Sequence, residues 1–390
     1  MKIAIAFAQF GPYHVARVAA LARLAGGQGD SVEALEVASE SSTYGWTKPE
    51  AIGFPLTTLV DGRVEDCGFL RVFFQALKFF RSRQIDVALL PSYSPASSFA
   101  LLCAAKCAGC RTVMLNESHA GTERATGIKH FLKRFLVAWF DAGLVGGTPH
   151  VRHFAGLGMR RLFTGYDAVD NEFFAAKATE VRADPEQFRE RLRLPGRYIL
   201  SLGRLVPKKN LGTLIRAYAR LHELMPSNVP ALVIVGSGEE EPALRVLAVK
   251  LNLAVVDHTL PDASGASRPG AIHFYGFRQI DENPVFYALA DCFVLPSLYE
   301  EWGLVVNEAM ACGIPVVVSK TAGCAEDLVE DGGFDPLSAD ELAGKLARIC
   351  ADARLCARMG ERSFEIISRW GCDNFAKQAM RAASALRARF

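Results

Sequence analysis

Glu300 lies just before, and Glu308 within, a short segment that opens at Gly303 and runs without a helix breaker to Cys312. Before them the apolar triplet Phe293-Val294-Leu295 stops at Pro296; after them come Gly313, Pro315 and the triplet Val316-Val317-Val318. This pattern predicts strand, loop, helix and strand, with Gly313 at the left-handed position past the helix end. The valines read as a buried parallel strand. The first turn of such a helix leaves backbone N–H groups unpartnered and concentrates positive potential, so the loop suits an anion. An anion site bordered by carboxylates fits a sugar nucleotide, with amides on the diphosphate and acids on hydroxyls. Glu301 reads as a solvated loop acid.

A second constellation points elsewhere and fails on geometry. Cys103, Cys107 and Cys110 have the C-x3-C-x2-C spacing of an iron–sulfur ligand set. They lie in an alanine-rich, helix-like segment, where Cys103 and Cys107 share one face and three thiolates do not converge. They read as small helix residues.

The elements that must position these groups follow from the rest of the chain. Its 390 residues make two domains the natural expectation. Half the residues are hydrophobic, enough for large cores, and a net charge of +2 argues against a dedicated nucleic-acid binder. No apolar run reaches the ~18–20 residues of a membrane span. Residues 1–7 read as a first strand and not a signal peptide, because Gln9, Gly11, Pro12 and His14 interrupt the apolar run. Without an export signal, the ten cysteines read as reduced core residues, and the expected location is the cytoplasm. Apolar runs at residues 2–8, 31–37, 85–90, 111–115 and 143–147 alternate with helical segments. Residues 38–64 read as irregular. A second alternation begins at Tyr198, with strands at 198–202, 231–235 and 272–275. Both halves are therefore expected to be α/β with mainly parallel sheets. The first loop lies where open α/β sheets bind ligands, but no G-x-G-x-x-G fingerprint is present. Segments 69–83 and 127–140 predict amphipathic helices rich in aromatic and basic residues. Packed helices with solvated Lys and Arg are the simpler reading of them; a monotopic membrane face at the inner leaflet is the sharper one.

In order and spacing, Gly203-Arg-Leu-Val-Pro-Lys-Lys-Asn210, Val235-Gly-Ser-Gly238, Phe274-Tyr-Gly276, Ala290-Asp-Cys-Phe-Val-Leu-Pro-Ser297 and Glu300-x7-Glu308 make residues 198–370 resemble the family-4 glycosyltransferases of the GT-B fold. The first half resembles them more loosely, through Phe10-Gly-Pro-Tyr-His14, Asp141-Ala-Gly-Leu-Val-Gly-Gly147 and Gly165-Tyr-Asp-Ala-Val-Asp-Asn171. The resemblance implies two Rossmann-like domains facing across a cleft: residues 1–172 for the acceptor, residues 173–371 for the nucleotide-sugar donor, and a C-terminal helix (372–390) crossing back to the first. It implies a retaining transfer of a sugar from a nucleoside-diphosphate sugar to a hydroxyl of a glycan, glycolipid or small glycoside. Arg204 and Lys209 match the pair that contacts the diphosphate, Glu308 the acid on the ribose and Glu300 the acid at the transferred sugar. Leu304 and Val305 match the helix-start amides, Gly236 and Phe277 the other donor loops, and Gly11 the close-approach glycine of the first loop. Asn210 stands where the family often has Gly. Lys208 reads as a surface charge. On the acceptor side, Glu117 and His119 are joint candidates for orienting the hydroxyl. No Asp-x-Asp pair sits in a nucleotide loop, so neither metal nor cofactor is expected beyond the co-substrate. The alternatives are a sugar-nucleotide epimerase on the same fold and a non-catalytic nucleotide-sugar-binding protein.

Overall fold

The computed structural model describes residues 1–41, 53–123, 127–260 and 270–387. It divides into two compact units. Unit 1 comprises Met1–Asp170 and the chain from Trp370 on; unit 2 is Asn171–Arg369.

Unit 1 holds strands β1 (Lys2–Phe7), β2 (Ser31–Glu40), β3 (Leu56–Arg63), β4 (Val87–Pro91), β5 (Arg111–Asn116), β6 (Ala142–Val145) and β7 (Leu162–Thr164). They form one sheet in the order β3-β2-β1-β4-β5-β6-β7, every pair parallel. Its helices are α1 (Pro12–Gly26), α2 (Phe69–Arg83), α3 (Ala96–Cys107), α4 (Ile128–Ala138) and α5 (Thr148–Gly156). β1 shows why the strands read as unbroken apolar runs: both faces are covered. Ile3, Ile5 and Phe7 join the core under α1, while Ala4 and Ala6 join the core under α2 and α3. The stretch expected to be irregular holds the end of β2 and all of β3. β3 is an edge strand, largely exposed, so it lacks the apolar run that marks a central strand. Trp46 and Pro49, in the same stretch, lie outside the described residues. The three clustered cysteines follow the helical reading: Cys103 and Cys107 are on α3, and Cys110 is buried just beyond it, its thiol donating to the Ile85 carbonyl at 3.2 Å.

Unit 2 holds β8 (Tyr198–Leu202), β9 (Ala231–Val235), β10 (Val255–Asp257), β11 (Ile272–Phe274), β12 (Cys292–Leu295), β13 (Val316–Ser319) and β14 (Gly333–Phe334). The order is β10-β11-β9-β8-β12-β13-β14, again all parallel. Its helices are α6 (Asn171–Ala183), α7 (Pro185–Leu192), α8 (Leu211–Leu224), α9 (Glu241–Lys250), α10 (Asn283–Ala288), α11 (Leu304–Ala311), α12 (Ala325–Leu328), α13 (Ala339–Ala351) and α14 (Ala353–Ile367). The last helix, α15 (Cys372–Ser384), belongs to unit 1 and packs along α1. Its apolar stripe buries Phe375, Ala379 and Met380 in the core that also holds Ile3 and Ile5. Each of the two larger side chains contributes roughly 1.5–3 kcal/mol by burial.

Strand order reverses between β8 and β12 in unit 2, and between β1 and β4 in unit 1. Open α/β sheets leave a crevice at such points, outside the carboxyl ends of the strands.

Candidate functional site

In unit 2 the chain turns into the crevice after β8 and again after β12, whose residues pair directly (Cys292 with Ile199, Phe293 with Leu200). These two loops carry Arg204 and Lys209 on one side and Glu300 on the other. The β8 loop is fixed first by its other neighbour. Gly203 N–H donates to the Val235 carbonyl and Leu205 N–H to the Ser237 carbonyl, both at 2.9 Å. The two chains run so close that a Cβ on Gly236 would stand 1.9 Å from the Gly203 carbonyl oxygen, and one on Gly238 would stand 2.3 Å from that of Leu205. Both glycines also have positive φ, 135° and 158°. The Val-Gly-Ser-Gly motif is thus the imprint of one loop pressed on another. The Gly236 amide itself donates to the Gly276 carbonyl at 2.7 Å.

A single 3₁₀ turn, Pro207–Lys209, ends at Asn210, which is left-handed at φ 53°. Asparagine tolerates that backbone, and here its side chain has further work. Nδ2 donates to the carbonyls of Pro296 (3.1 Å) and Pro336 (2.8 Å), and Oδ1 accepts from the Thr213 hydroxyl at 2.9 Å. With Leu298 N–H donating to the Lys208 carbonyl at 2.8 Å, the β8 and β12 loops are tied across the switch point. Asn210→Gly keeps the backbone and loses the side-chain bonds, so urea unfolding should show a loss of about 1–3 kcal/mol. Asn210→Ala should lose about 1 kcal/mol more, because its Cβ is strained at that φ.

Glu300 is only 7% exposed, and its carboxylate is the centre of a compact ion cluster. Lys209 Nζ contacts Oε2, Lys208 Nζ lies 3.3 Å from Oε1, and the Ser297 hydroxyl donates to Oε2 at 3.2 Å. Lys208 also pairs with Glu301 at 2.7 Å. Burial pushes the Glu300 carboxyl up, but the Lys209 and Lys208 ammonium groups outweigh it and hold the acid below the usual range. Lys208 and Glu301, expected to be solvated surface charges, are therefore partners in the cluster. The backbone is held too: Gly323 N–H donates to the Glu300 carbonyl at 3.0 Å.

α11 begins at Leu304 and Val305, directly after this loop. One turn further in, Glu308 is fully buried, and the Tyr287 hydroxyl donates to its Oε2 at 2.9 Å. Trp302 is buried as well and donates from Nε1 to Asn307 Oδ1 at 2.8 Å. Arg204 is exposed and, among the described residues, makes no ion pair; it lines a small depression with Lys209, Gly203 and Pro296. Phe277, at the end of β11, is 49% exposed on the same sheet edge.

Gly11, Glu117 and His119 lie in unit 1, at the ends of β1 and β5. Gly11 caps α1 in an extended conformation, and its N–H donates to His14 Nδ1 at 3.1 Å. The His14 ring stacks on Phe7 with centroids 4.0 Å apart, and burial followed by the charge of Arg17 lowers its pKa to about 3. Glu117 is exposed and hydrogen-bonded to the buried Asp167, whose carboxyl is pushed well up by burial and by the neighbouring Glu117 charge. His119 Nδ1 accepts from Gly121 N–H at 3.1 Å, so in the neutral ring Nε2 carries the proton and is a donor. The His119 ring meets His150 edge-on at 5.2 Å, and His150 Nδ1 accepts from Gly147 N–H at 3.0 Å. Asp167, His150 and Arg17 were not picked out from the sequence. Asp167 lies inside a quoted motif, but only its buried contact with Glu117 distinguishes it.

Residues 196–352 match the family described as Glycosyl transferases group 1. The O-antigen chain mannosyltransferase B of Escherichia coli is 31% identical over 157 residues, covering 40% of this chain and 37% of that protein. The GDP-mannose-dependent alpha-(1-6)-phosphatidylinositol monomannoside mannosyltransferase of Mycobacterium tuberculosis H37Rv is 32% identical over 210 residues, half of each chain. The chain thus spans about half or less of the curated relatives it matches. Among solved structures, Anabaena Alr3699/HepE in complex with UDP superposes with a TM-score of 0.70 at 18% identity, covering 99% of this chain and 100% of that one. Two parallel seven-stranded sheets with interleaved helices and this likeness identify the fold as GT-B.

Proposed function

Starting from a GT-B chain whose residues 196–352 match the group 1 glycosyl transferases, we propose that the protein moves a sugar from a nucleoside-diphosphate sugar to a hydroxyl acceptor, with retention and without a metal. The observation that carries this reading is the ion cluster at the switch point of unit 2, where a buried carboxylate holds Lys209 in a crevice lined by Arg204. Unit 2 takes the donor in this reading. Arg204 and Lys209 offset the charge that develops on the departing diphosphate, as a metal does elsewhere, and the amides of Leu304 and Val305 add the positive end of α11. Glu308 takes ribose hydroxyls, Glu300 takes hydroxyls of the transferred sugar, and Phe277 lies against the base. Unit 1 takes the acceptor: the exposed Glu117 carboxylate accepts from the hydroxyl, and His119 donates from Nε2. Peripheral contact with a membrane belongs to the same reading. The two curated relatives named above are mannosyltransferases, one of them GDP-mannose-dependent, so GDP-mannose is the first donor to try.

The test is thermal unfolding with a panel of nucleoside diphosphates and their sugars, with GDP-mannose and UDP-glucose as its first members. A true donor raises the melting temperature, corresponding to about 2.7 kcal/mol at a hundredfold excess over Kd. A chelator added to the transfer assay should change nothing. If no nucleoside diphosphate stabilises the fold, the donor site is wrong. If chelation stops transfer and a divalent ion restores it, metal independence is wrong.

A further inference from the structure

Neither α2 nor α4 has an acid in its sequence, Phe69–Arg83 or Ile128–Ala138. Each buries one face and leaves the other in an unusual state. On α2 the buried residues are Val72, Ala76, Phe79 and Phe80, while Leu70 is 66% and Phe74 62% exposed beside the exposed Arg71 and Lys78. On α4, Phe131 is 74% exposed and Phe135 53%, with the exposed Arg134 between them. The exposed face of α14 is an ordinary comparison: one exposed aromatic, Phe364, stands among Glu361, Arg362 and Glu365, with Arg362 paired to Glu330 and Glu365.

The two apolar faces are one surface. Phe69 and Phe73 of α2 stack at 6.1 Å, and Phe69 lies 5.9 Å from Phe99 of α3. Phe99 stacks on Trp139 at 5.9 Å, and Trp139 lies 5.6 Å from Phe135. An aromatic ridge therefore crosses three helices of unit 1, flanked by Arg71, Lys78 and Arg134. Phe69, Phe73 and Phe99 are its half-buried links, and Leu70, Phe74, Phe131, Phe135 and Trp139 are the exposed apolar surface along it, of the kind that marks an interaction site.

We propose that this ridge docks unit 1 on an anionic lipid bilayer, with α2 and α4 lying in the interface plane. The charge selects the occupant. Aromatic and aliphatic side chains on one face with basic groups beside them match an acyl boundary under acidic headgroups. A second copy seated on the same face by two-fold symmetry sets Arg71, Lys78 and Arg134 against like charges. A span is ruled out by length, since α2 has 15 residues and a crossing helix needs about 20. Among the described residues no helix is long and apolar enough to cross a membrane.

The experiment is sedimentation of the full chain with sucrose-loaded vesicles, one set of phosphatidylcholine alone and one with about 30% phosphatidylglycerol. The chain should pellet with the acidic vesicles, and raising the salt to about 0.5 M should release most of it. Phe131→Ser with Phe135→Ser should lower partitioning at least about 10-fold. Arg71→Gln with Lys78→Gln should lower it roughly 10- to 30-fold at low salt. All four side chains are exposed, so melting temperatures should stay near wild type, and the charge pair serves as the test if the serine pair folds poorly. Failure to pellet with acidic vesicles overturns the proposal, as does equal binding to neutral vesicles. A dimer in analytical ultracentrifugation that the serine pair dissolves overturns it too, by giving the ridge to a second copy. The proposal gives a surface and a lipid class to the membrane contact named with the proposed transfer, but none of these results is read through sugar transfer, so each can fail without the other.

Discussion

Lys209→Met is expected to lower sugar transfer by about 100- to 1000-fold, the range for removing one charged or hydrogen-bonding group from a developing anion. In the proposed reaction the loss should fall on kcat as well as on donor binding, because the departing diphosphate gains charge as the bond breaks. The same change should leave a second mark that needs no substrate. Lys209 is one of two ammonium groups that keep the buried Glu300 ionised. Breaking a buried pair outright costs about 3–5 kcal/mol. Lys208 remains in place, so a loss of roughly 1–3 kcal/mol is expected. The pH dependence follows from the depressed acid. Its stabilising contribution is present above the unfolded-state value near 4.3 and is lost as pH falls through the lower folded-state value. The gap in melting temperature between wild type and Lys209→Met should therefore be widest at neutral pH and close on the acid side. In a Glu300→Gln background Lys209→Met should cost much less, since the charge it answers is gone. A gap that is flat with pH, or a full loss in both backgrounds, contradicts the pairing.

Gly236→Ala is the second large effect, and it acts through the backbone. The new methyl would sit 1.9 Å from the Gly203 carbonyl oxygen at a φ of 135°, with no side chain that can swing aside. Either the β8 loop moves or the β9 loop does, and both carry the ladder that ends in Gly203 and Leu205. A loss of about 3 kcal/mol or more is expected, enough to leave unit 2 partly unfolded at moderate temperature. Gly344→Ala is the matched control. It lies within α13 with nothing near its new Cβ, and should gain roughly 0.5–1 kcal/mol. Denaturation followed by circular dichroism separates the two. A Gly236→Ala protein as stable as wild type shows that the loops are not held as described.

How far the fold was legible depended on burial. The central strands announce themselves because both faces are covered, as Ile3 with Ile5 and Ala4 with Ala6 make plain. β3 was missed because an edge strand needs no unbroken apolar run. At the candidate site, residues that stand in a spaced motif could be singled out, and the structure pairs two of them, Glu300 and Lys209. What the sequence hides is how charges partition between neighbours. Lys208 and Glu301 look like solvent-facing companions of Lys209 and Glu300, yet Lys208 bridges both acids. Two adjacent lysines answering two adjacent glutamates was the available signal. Asn210 looked like a departure from glycine, yet its amide ties the two loops. The candidates in unit 1 were less legible for a physical reason: Asp167, His150 and Arg17 are brought together from three separate segments.

The return of the last helix has a consequence for biosynthesis. Unit 1 is begun first and finished last, because all of Asn171–Arg369 leaves the ribosome between β7 and α15. Until Phe375, Ala379 and Met380 emerge, the face of the first sheet that holds Ile3 and Ile5 lacks part of its cover. Unit 2 has its whole sequence available before that point. The nascent chain therefore carries an unfinished first half throughout synthesis of the second, and a truncation just after Arg369 leaves the damage at the N-terminus.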